Sequence, residues 1–234
     1  MAKFFGMSVA VIVLIIGAIT AYAFITDNDF RYKITVTVET PEGVKTGSSV
    51  REVSVGLPLI DLPEGTANVD ITGEAIVVDL GERGVLYGLI RAESDRDVYK
   101  AFPIDSPPLT SEGLKYYTSL PVGKSAELPR ENWPTFVTFT DPDDPKSVTL
   151  VRGYKFNPET QKHVPVRRVE EIFGDGVTIK DITITITDAP VTERVDEYLP
   201  KTFQSEVIDK WRELPKEERR YLYDLTRFKQ GDFK

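Results

Sequence analysis

The sequence predicts a mainly β protein, an antiparallel sandwich- or barrel-like domain, preceded by a transmembrane helix and followed by a C-terminal αα tail. Three observations support this prediction: short segments with period-two alternation, turn residues between them, and an uncharged opening stretch. They divide the chain into residues 1–25, a transmembrane anchor or signal segment, residues 26–192, a β-rich extracytoplasmic domain, and residues 193–234, a helical tail.

Alternation is clearest at residues 31–39, where apolar side chains take one face and polar side chains the other, as in a half-buried strand. Pro41-Glu42-Gly43 follows, and its preset φ and permissive glycine predict a reversal. We therefore expect residues 44–55 to pair with the first strand in a hairpin.

Two further hairpins are predicted from strand-like segments joined by turn residues. The first pairs residues 74–80 with 85–91, and the second pairs residues 135–140 with 147–152. Short strands at this spacing favour a sandwich or a barrel.

The longest strand signal covers residues 177–187, where the apolar period slips by one residue between Ile179 and Ile182, as at a β-bulge. Residues 168–173, closed by Gly174, predict a short helix with a glycine cap. Residues 92–134 are irregular and proline-rich. They form either a long surface excursion or a division between two β subdomains.

The N-terminal stretch has no charged residue from Phe4 to Ile25. As a helix it would span about 33 Å, against about 30 Å of hydrocarbon. Lys3 precedes it and acidic residues follow, so we expect a cytoplasmic N-terminus, a single pass through a bacterial inner membrane and a periplasmic remainder. Ala21-Tyr22-Ala23 matches a cleavage pattern, so an uncleaved anchor and a removed signal both stay open.

Charge and composition exclude several functions. The chain contains no cysteine, which excludes disulfides, thiolate metal sites and a cysteine nucleophile. Its formal charge of −8 opposes nucleic acid and anionic lipid heads. The nearest approach to a basic patch, Arg167-Arg168, is followed at once by Glu170-Glu171. We expect no binding of nucleic acid.

The C-terminal tail has the period of amphipathic helices. Its apolar stripe contains Phe203, Val207, Ile208, Trp211 and Leu214, and the continuing face contains Leu222, Leu225 and Phe228. Pro215 ends the first helix and starts the second. The tail either packs back on the β domain or docks on a partner protein through residues 203–229.

Two sequence features suggest catalysis or nucleotide binding, and each has a simpler explanation. His163 is the only histidine, and no G-x-S-x-G elbow accompanies it, so a structural role is expected. Val122-Gly123-Lys124-Ser125 resembles the end of a phosphate-binding loop, but Thr118 stands where its first glycine belongs.

Two further groups have ligand chemistry. Asp141, Asp143 and Asp144 place carboxylates together, but Asp-Pro steps are typical of a hairpin turn and the calcium-loop pattern is missing. Tyr116-Tyr117 and Trp133 could line a groove, but aromatic residues of β proteins usually lie in the core. The sequence therefore assigns no catalytic, cofactor-binding or metal residues, and no cofactor.

Four stretches resemble a family of uncharacterised bacterial membrane-anchored or exported proteins. They are residues 39–50 (ETPEGVKTGSSV), 73–81 (GEAIVVDLG), 136–148 (FVTFTDPDDPKSV) and 182–192 (ITITITDAPVT). The resemblance spans roughly residues 30–192 and implies an apolar N-terminus but no assigned activity. Many such proteins end soon after the last strand, which implies that the tail is an extension with a partner role.

Together these features predict a membrane-anchored, non-enzymatic envelope protein, a binding or assembly module that contacts the membrane through residues 4–25. The alternative is an extracytoplasmic hydrolase using carboxylate acid/base chemistry, which requires two or more acidic side chains in one concave pocket. A third interpretation is a subunit of a larger membrane complex.

Overall fold

The computed structural model describes residues 28–56, 68–90, 96–157, 159–200 and 227–230. The predicted membrane span, residues 4–25, and the helical stripe from Phe203 to Leu214 lie outside these ranges. Within the described ranges, no helix is long and apolar enough to cross a bilayer.

The chain is built mainly from antiparallel strands. In order they are β1 (Phe30–Thr40), β2 (Gly43–Gly56), β3 (Asn68–Glu74), β4 (Ile76–Asp79), β5 (Val85–Gly88), β6 (Ser125–Glu127), β7 (Phe136–Phe139), β8 (Val148–Asn157), β9 (Lys162–Arg167), β10 (Thr178–Ile186) and β11 (Lys229–Gln230). The α-helices are α1 (Arg96–Ala101), α2 (Ser111–Thr118) and α3 (Val169–Phe173).

Sheet 1 contains six of these strands, in the order β11-β3-β2-β1-β10-β6. The predicted β1–β2 hairpin is confirmed, with Pro41 and Glu42 at its turn and Thr40 opposite Gly43. Gly43 has φ +125°, in the left-handed region that glycine enters at little cost. The alternation of β1 is also confirmed, because Tyr32 and Ile34 are fully buried while Lys33 between them is exposed.

The predicted bulge lies where β10 pairs with β1. Thr37 stands opposite Asp181 and Val38 opposite Ile179, so Lys180 is the extra residue. This places Ile179 and Ile182 on the same buried face despite their odd spacing. The slip in the apolar period was therefore a correct signal.

Sheet 2 contains five strands in the order β4-β5-β7-β8-β9. Both predicted hairpins are present: β4 joins β5 through a 3-10 turn at Gly81–Arg83, and β7 joins β8. Strand β9, paired with β8, is an addition to the predicted strands.

The two sheets share one apolar core. Strands β3 and β4 are separated only by Ala75, so one continuous stretch of chain passes from sheet 1 to sheet 2. A Cβ at Gly47 of β2 would lie 1.9 Å from the carbonyl oxygen of Val77 in β4, so only glycine permits this approach. Inward-facing residues of both sheets, such as Ile34 and Phe136, belong to the same cluster.

The proline-rich stretch that the sequence left open contains α1, α2 and β6. Val98, Tyr99, Leu114 and Tyr117 from the two helices are buried in the core that both sheets share, so this region is not a surface excursion. With six and eight residues, the helices are too short to show a clear 3.6-residue period.

A fully buried ion pair fixes α1 to sheet 1. Arg51 Nη1 lies 3.4 Å from Asp97 Oδ2, and both side chains have 0% exposure. Arg51 Nε also donates to the carbonyl oxygen of Glu74 at 3.3 Å. Gly73 makes room for the aliphatic part of the Arg51 side chain, because a Cβ at position 73 would lie 2.7 Å from Arg51 Cγ.

The outer face of sheet 2 is covered by the two described parts of the C-terminal region. Phe228 is 2% exposed and packs on Tyr87 and Phe139, with ring centroids 5.3 and 6.0 Å away. Its carbonyl oxygen accepts a hydrogen bond from Ala75 N at 2.8 Å. Val195, near the start of the predicted tail, is also buried in this cluster.

The tail prediction differs from the structure at these positions. Lys229 and Gln230 form β11 on the edge of β3, where a helical face continuing to Phe228 was expected. Residues 195–197 form a single 3-10 turn. Strand pairing and burial of the Phe228 ring stabilise the extended backbone here more than continuation of a helix would.

Candidate functional site

A two-stranded ribbon extends from one edge of sheet 2. Strand β7 pairs with β8 only as far as Arg152, whereas β8 and β9 continue as partners to Asn157 and Lys162. We call residues 152–168 the ribbon. A two-stranded ribbon is only marginally stable by itself in water, so this one depends on its continuity with sheet 2.

The ribbon carries basic charge on an acidic protein. Residues 152–168 contain five lysine or arginine residues and one glutamate, whereas the whole chain has a formal charge of −8. In the sequence only Arg167-Arg168 stands out as a basic pair, because Lys162 is five residues away and Arg152 and Lys155 lie on the opposite strand. Hairpin pairing brings the five cations onto one ribbon, with Arg152 and Arg167 on the face toward the cleft and Lys155 and Lys162 on the other face.

Arg152 and Arg167 stand directly opposite each other at the base of the ribbon. Arg168 N donates to Val151 O at 2.8 Å, so residues 151 and 168 form a hydrogen-bonded pair. The adjacent pair, Arg152 and Arg167, is therefore a non-hydrogen-bonded pair, in which side chains come closest. Like charges in this arrangement destabilise a sheet.

The indole ring of Trp133 lies against the guanidinium groups of Arg130 and Arg152. The guanidinium carbons of Arg130 and Arg152 lie 5.2 and 4.8 Å from its ring centroid, within cation–π distance. The ring is 6% exposed, and its Nε1 donates to Leu128 O at 2.9 Å. Arg152 Nη2 donates to Arg130 O at 2.9 Å. The two guanidinium groups are thus held in place by a fixed ring and a backbone carbonyl.

These side chains line a cleft of about 700 Å³, within the range of sites for drug-sized ligands. One wall carries Arg130, Arg152 and Arg167, with Glu131 beside Arg130, followed by Tyr154, whose side chain is 63% exposed. The other wall is formed by α3 and the start of β10. We call this space the arginine cleft.

The α3 wall of the arginine cleft is acidic, and its carboxylates have local partners. Glu171 pairs with Arg168 at 2.7 Å, and this interaction lowers the pKa of Glu171. Glu170 Oε1 accepts a hydrogen bond from Gly176 N at 3.1 Å. The cleft therefore has a basic wall on the ribbon and an acidic wall on α3.

A second, smaller cavity of about 240 Å³ lies where sheet 1 meets β4 and the C-terminal region. Glu74 and Asp79 line it, together with hydroxyl side chains such as Thr46 and Ser48. Burial raises the pKa of Glu74, although backbone N–H groups of Val195 and Arg194 oppose this shift. Glu74 Oε2 accepts from both N–H groups, at 2.8 and 2.7 Å.

Comparison with protein-family models, with curated proteins and with solved structures finds no match for this chain.

His163 lies in β9, exposed, directly opposite Phe156, and the two ring centroids are 5.5 Å apart. The structure gives it a cross-strand packing contact, as the structural interpretation expected. Gly123 has φ +86° in the turn before β6, and its N–H donates to Ile186 O at 2.8 Å. The 122–125 segment thus serves as a turn onto an edge strand.

The acidic cluster at 141–144 is a turn, as the sequence indicated. Asp141 Oδ1 accepts from Asp143 N at 3.0 Å, and Asp144 Oδ1 accepts from Lys146 N at 2.8 Å. Ser147 Oγ donates to the carbonyl oxygens of Asp141 and Asp144. Throughout the part of the chain that the structure describes, no three acidic or histidine side chains are grouped to hold a metal ion.

Of the aromatic candidates, Tyr117 and Trp133 are buried, as expected, and Tyr116 is exposed. Tyr117 is 1% exposed, and its hydroxyl donates to Phe102 O at 3.1 Å. Trp133 is buried beneath its two arginines, and Tyr116 is 36% exposed. Trp133, which the sequence indicated as a possible groove residue, lines the cleft together with Tyr154, which was not singled out from the sequence. The sequence feature that could have indicated Tyr154 is the basic composition of the segment around it.

Proposed function

We propose that this protein is a membrane-anchored, non-enzymatic binding or assembly module of the bacterial envelope, with the arginine cleft and the ribbon as its binding surface. The observation that carries the proposal is the basic ribbon on an otherwise acidic chain. Opposite charges steer association and suppress incorrect partners, so this surface fits an acidic partner.

The cross-strand placement of Arg152 opposite Arg167 supports a binding role. Two like charges side by side cost the free protein stability. A ligand that brings a carboxylate between them removes that cost and gains charge-assisted hydrogen bonds.

Membrane attachment rests on the sequence. The uncharged stretch at 4–25 is long enough to span a bilayer, and its flanking charges favour an external β domain. The resemblance to exported or membrane-anchored bacterial proteins agrees with this arrangement. N-terminal sequencing of the mature protein, combined with protease treatment of intact spheroplasts, tests it. A protein with Met1 intact in the soluble cytoplasmic fraction would refute the membrane assignment.

Photocrosslinking tests the binding surface. Tyr154→p-benzoylphenylalanine places a crosslinker on the ribbon, and Tyr116→p-benzoylphenylalanine places one on another exposed tyrosine. In native membranes, we expect one crosslinked product of defined mass from position 154 alone, and excess unlabelled protein should compete it away. Equal labelling from both positions, or none from 154, contradicts the proposal.

The hydrolase alternative has one observation in its favour. Glu74 is a carboxyl with a raised pKa in a concave pocket, and Asp79 lines the same pocket. However, Glu74 Oε2 already accepts two backbone hydrogen bonds, and Asp79 Oδ1 accepts one from Gly81 N. Hydrolysis of a panel of chromogenic glycosides that is lost in both Glu74→Gln and Asp79→Asn would establish this alternative in place of the binding module.

A further inference from the structure

We infer that the arginine cleft binds an extended acidic peptide segment of a partner protein, in which a carboxylate and an apolar side chain are two residues apart. This inference rests on the proposed binding function and names the chemistry of the partner. It is carried by the order of side chains along the inner face of the ribbon, the face that continues into the cleft.

That order follows from the register of β8 and β9. Residues two apart in a strand share a face, so the inner face presents three successive cross-strand pairs: Arg152 with Arg167, Tyr154 with Pro165, and Phe156 with His163. The rows are therefore cationic, apolar and aromatic in turn, about 6.6–6.8 Å apart. Side chains on one face of an extended peptide repeat at the same distance.

The first row is suited to a carboxylate. The fork of an arginine guanidinium matches a carboxylate in a bidentate manner. Arg152 and Arg130 are positioned on Trp133 before any ligand arrives, so little side-chain entropy is lost on binding. The second row offers the exposed ring of Tyr154 beside Pro165, an apolar surface for an aliphatic side chain.

The lining of the cleft favours a peptide over an acidic glycan. No asparagine or glutamine is among the residues that line it, although amide side chains are suited to hydrogen bonding with sugar hydroxyls. The Trp133 ring has guanidinium groups against it and only 6% exposure, so it offers no stacking platform. The aliphatic residues Val177 and Ile179 at the start of β10 also line the cleft.

The peptide contacts the face of the ribbon rather than its edge. Since Arg152 and Arg167 form a non-hydrogen-bonded pair, the backbone groups of Arg167, Pro165 and His163 point away from β8. Pro165 has no N–H to donate, and proline at an edge strand prevents further strand addition. Recognition therefore depends on side chains, which makes the order of residues in the peptide decisive.

Fluorescence anisotropy with the full-length protein in mild detergent tests this inference at about 0.15 M salt. The probe is a labelled peptide of sequence Glu-Ser-Leu-Ser-Phe, and its comparison is the same residues as Glu-Leu-Phe-Ser-Ser. We expect the first to bind at least tenfold more tightly, because only its three large side chains share one face. Equal affinities would overturn the inferred spacing.

A matched pair of variants tests the site itself. Arg167→Gln removes a cation from the inner face, and Lys155→Gln removes one from the opposite face of the same ribbon. We expect Arg167→Gln to raise the Kd at least tenfold and Lys155→Gln to change it less than twofold. Equal losses would reduce the contact to general charge attraction and overturn the inference.

Polygalacturonate as a competitor separates the two classes of acidic ligand. If polygalacturonate displaces the peptide no better than a simple salt of equal ionic strength, the peptide assignment stands. If polygalacturonate binds more tightly than the peptide, the peptide assignment fails. Failure of the peptide experiments together with persistent crosslinking at Tyr154 would overturn the peptide chemistry alone. Loss of the crosslinking as well would overturn the proposed function.

Discussion

Arg152 and Arg167 face each other across the β8–β9 ladder as a non-hydrogen-bonded pair, the closest approach that two side chains make in an antiparallel sheet. Arg130 adds a third guanidinium at the same Trp133 ring that Arg152 contacts. Three arginines therefore gather around Trp133 and the base of the ribbon, and Glu131, Glu170 and Glu171 also line the cleft. The proposed binding function depends on this arrangement. Other parts of the fold lead to independent predictions about stability.

Removal of one partner from the buried Arg51–Asp97 ion pair should strongly destabilise the folded protein. Asp97→Asn leaves a fully buried guanidinium without its carboxylate, and we expect the free energy of unfolding to fall by about 3–5 kcal/mol. Urea denaturation measures this change. Glu52→Gln breaks the partly exposed Arg31–Glu52 pair and serves as the control, with an expected loss of about 0–1 kcal/mol. Similar losses in the two variants would contradict the buried role.

Glu74 should make stability depend on pH. Its folded pKa is raised by burial, so its stabilising contribution is complete below the unfolded pKa and is lost as pH rises through the folded pKa. Arg194, Asp196 and Lys229 lie nearby. Glu74→Gln should therefore become less destabilising, relative to the parent protein, as pH rises from about 4.5 toward neutrality. Urea denaturation of both proteins across this range measures the difference between their free energies of unfolding. We expect this difference to shrink as pH rises, and a difference that stayed constant or widened would contradict the role of Glu74.

Phe228 should hold the C-terminal end on sheet 2. Phe228→Ala removes a 2% exposed ring from its contacts with Tyr87 and Phe139, and we expect a loss of about 3–5 kcal/mol. Thermal unfolding followed by circular dichroism measures it. Tyr116→Ala, at a 36% exposed site, is the control and should cost much less. If Phe228→Ala lowers the stability no more than Tyr116→Ala does, packing of Phe228 on the outer face of sheet 2 does not stabilise the fold.

Much of the β framework could be predicted because its signals are local. Alternation in β1, the turn at Pro41-Glu42 and the period slip near Lys180 each depend on residues within a few positions of one another. Local sterics and hydrogen bonding decide such features, so sequence pattern is sufficient. The helices α1 and α2 escaped prediction because six and eight residues give too few turns to establish a period.

The arginine cleft could not be predicted because its parts are distant in sequence. Arg130, Arg152 and Arg167 come together through the pairing of β8 with β9 and the packing of Trp133 beneath them. Strand β9 was itself obscured by Pro165, which is unusual within strands but tolerated at an edge. Arg51 escaped in the same way, since nothing near it in sequence indicates Asp97 as its partner.

The central claim is that the cross-strand Arg152–Arg167 pair lowers the stability of the free protein and serves to bind a ligand. Urea denaturation of Arg167→Gln, with Lys155→Gln as control, tests it most directly. At about 0.01 M salt we expect Arg167→Gln to raise the free energy of unfolding by about 0.2–1 kcal/mol, with the gain disappearing near 1 M salt, where charges are screened beyond about 3 Å. A loss of stability in Arg167→Gln at low salt would contradict the claim, since the pair would then be a structural asset.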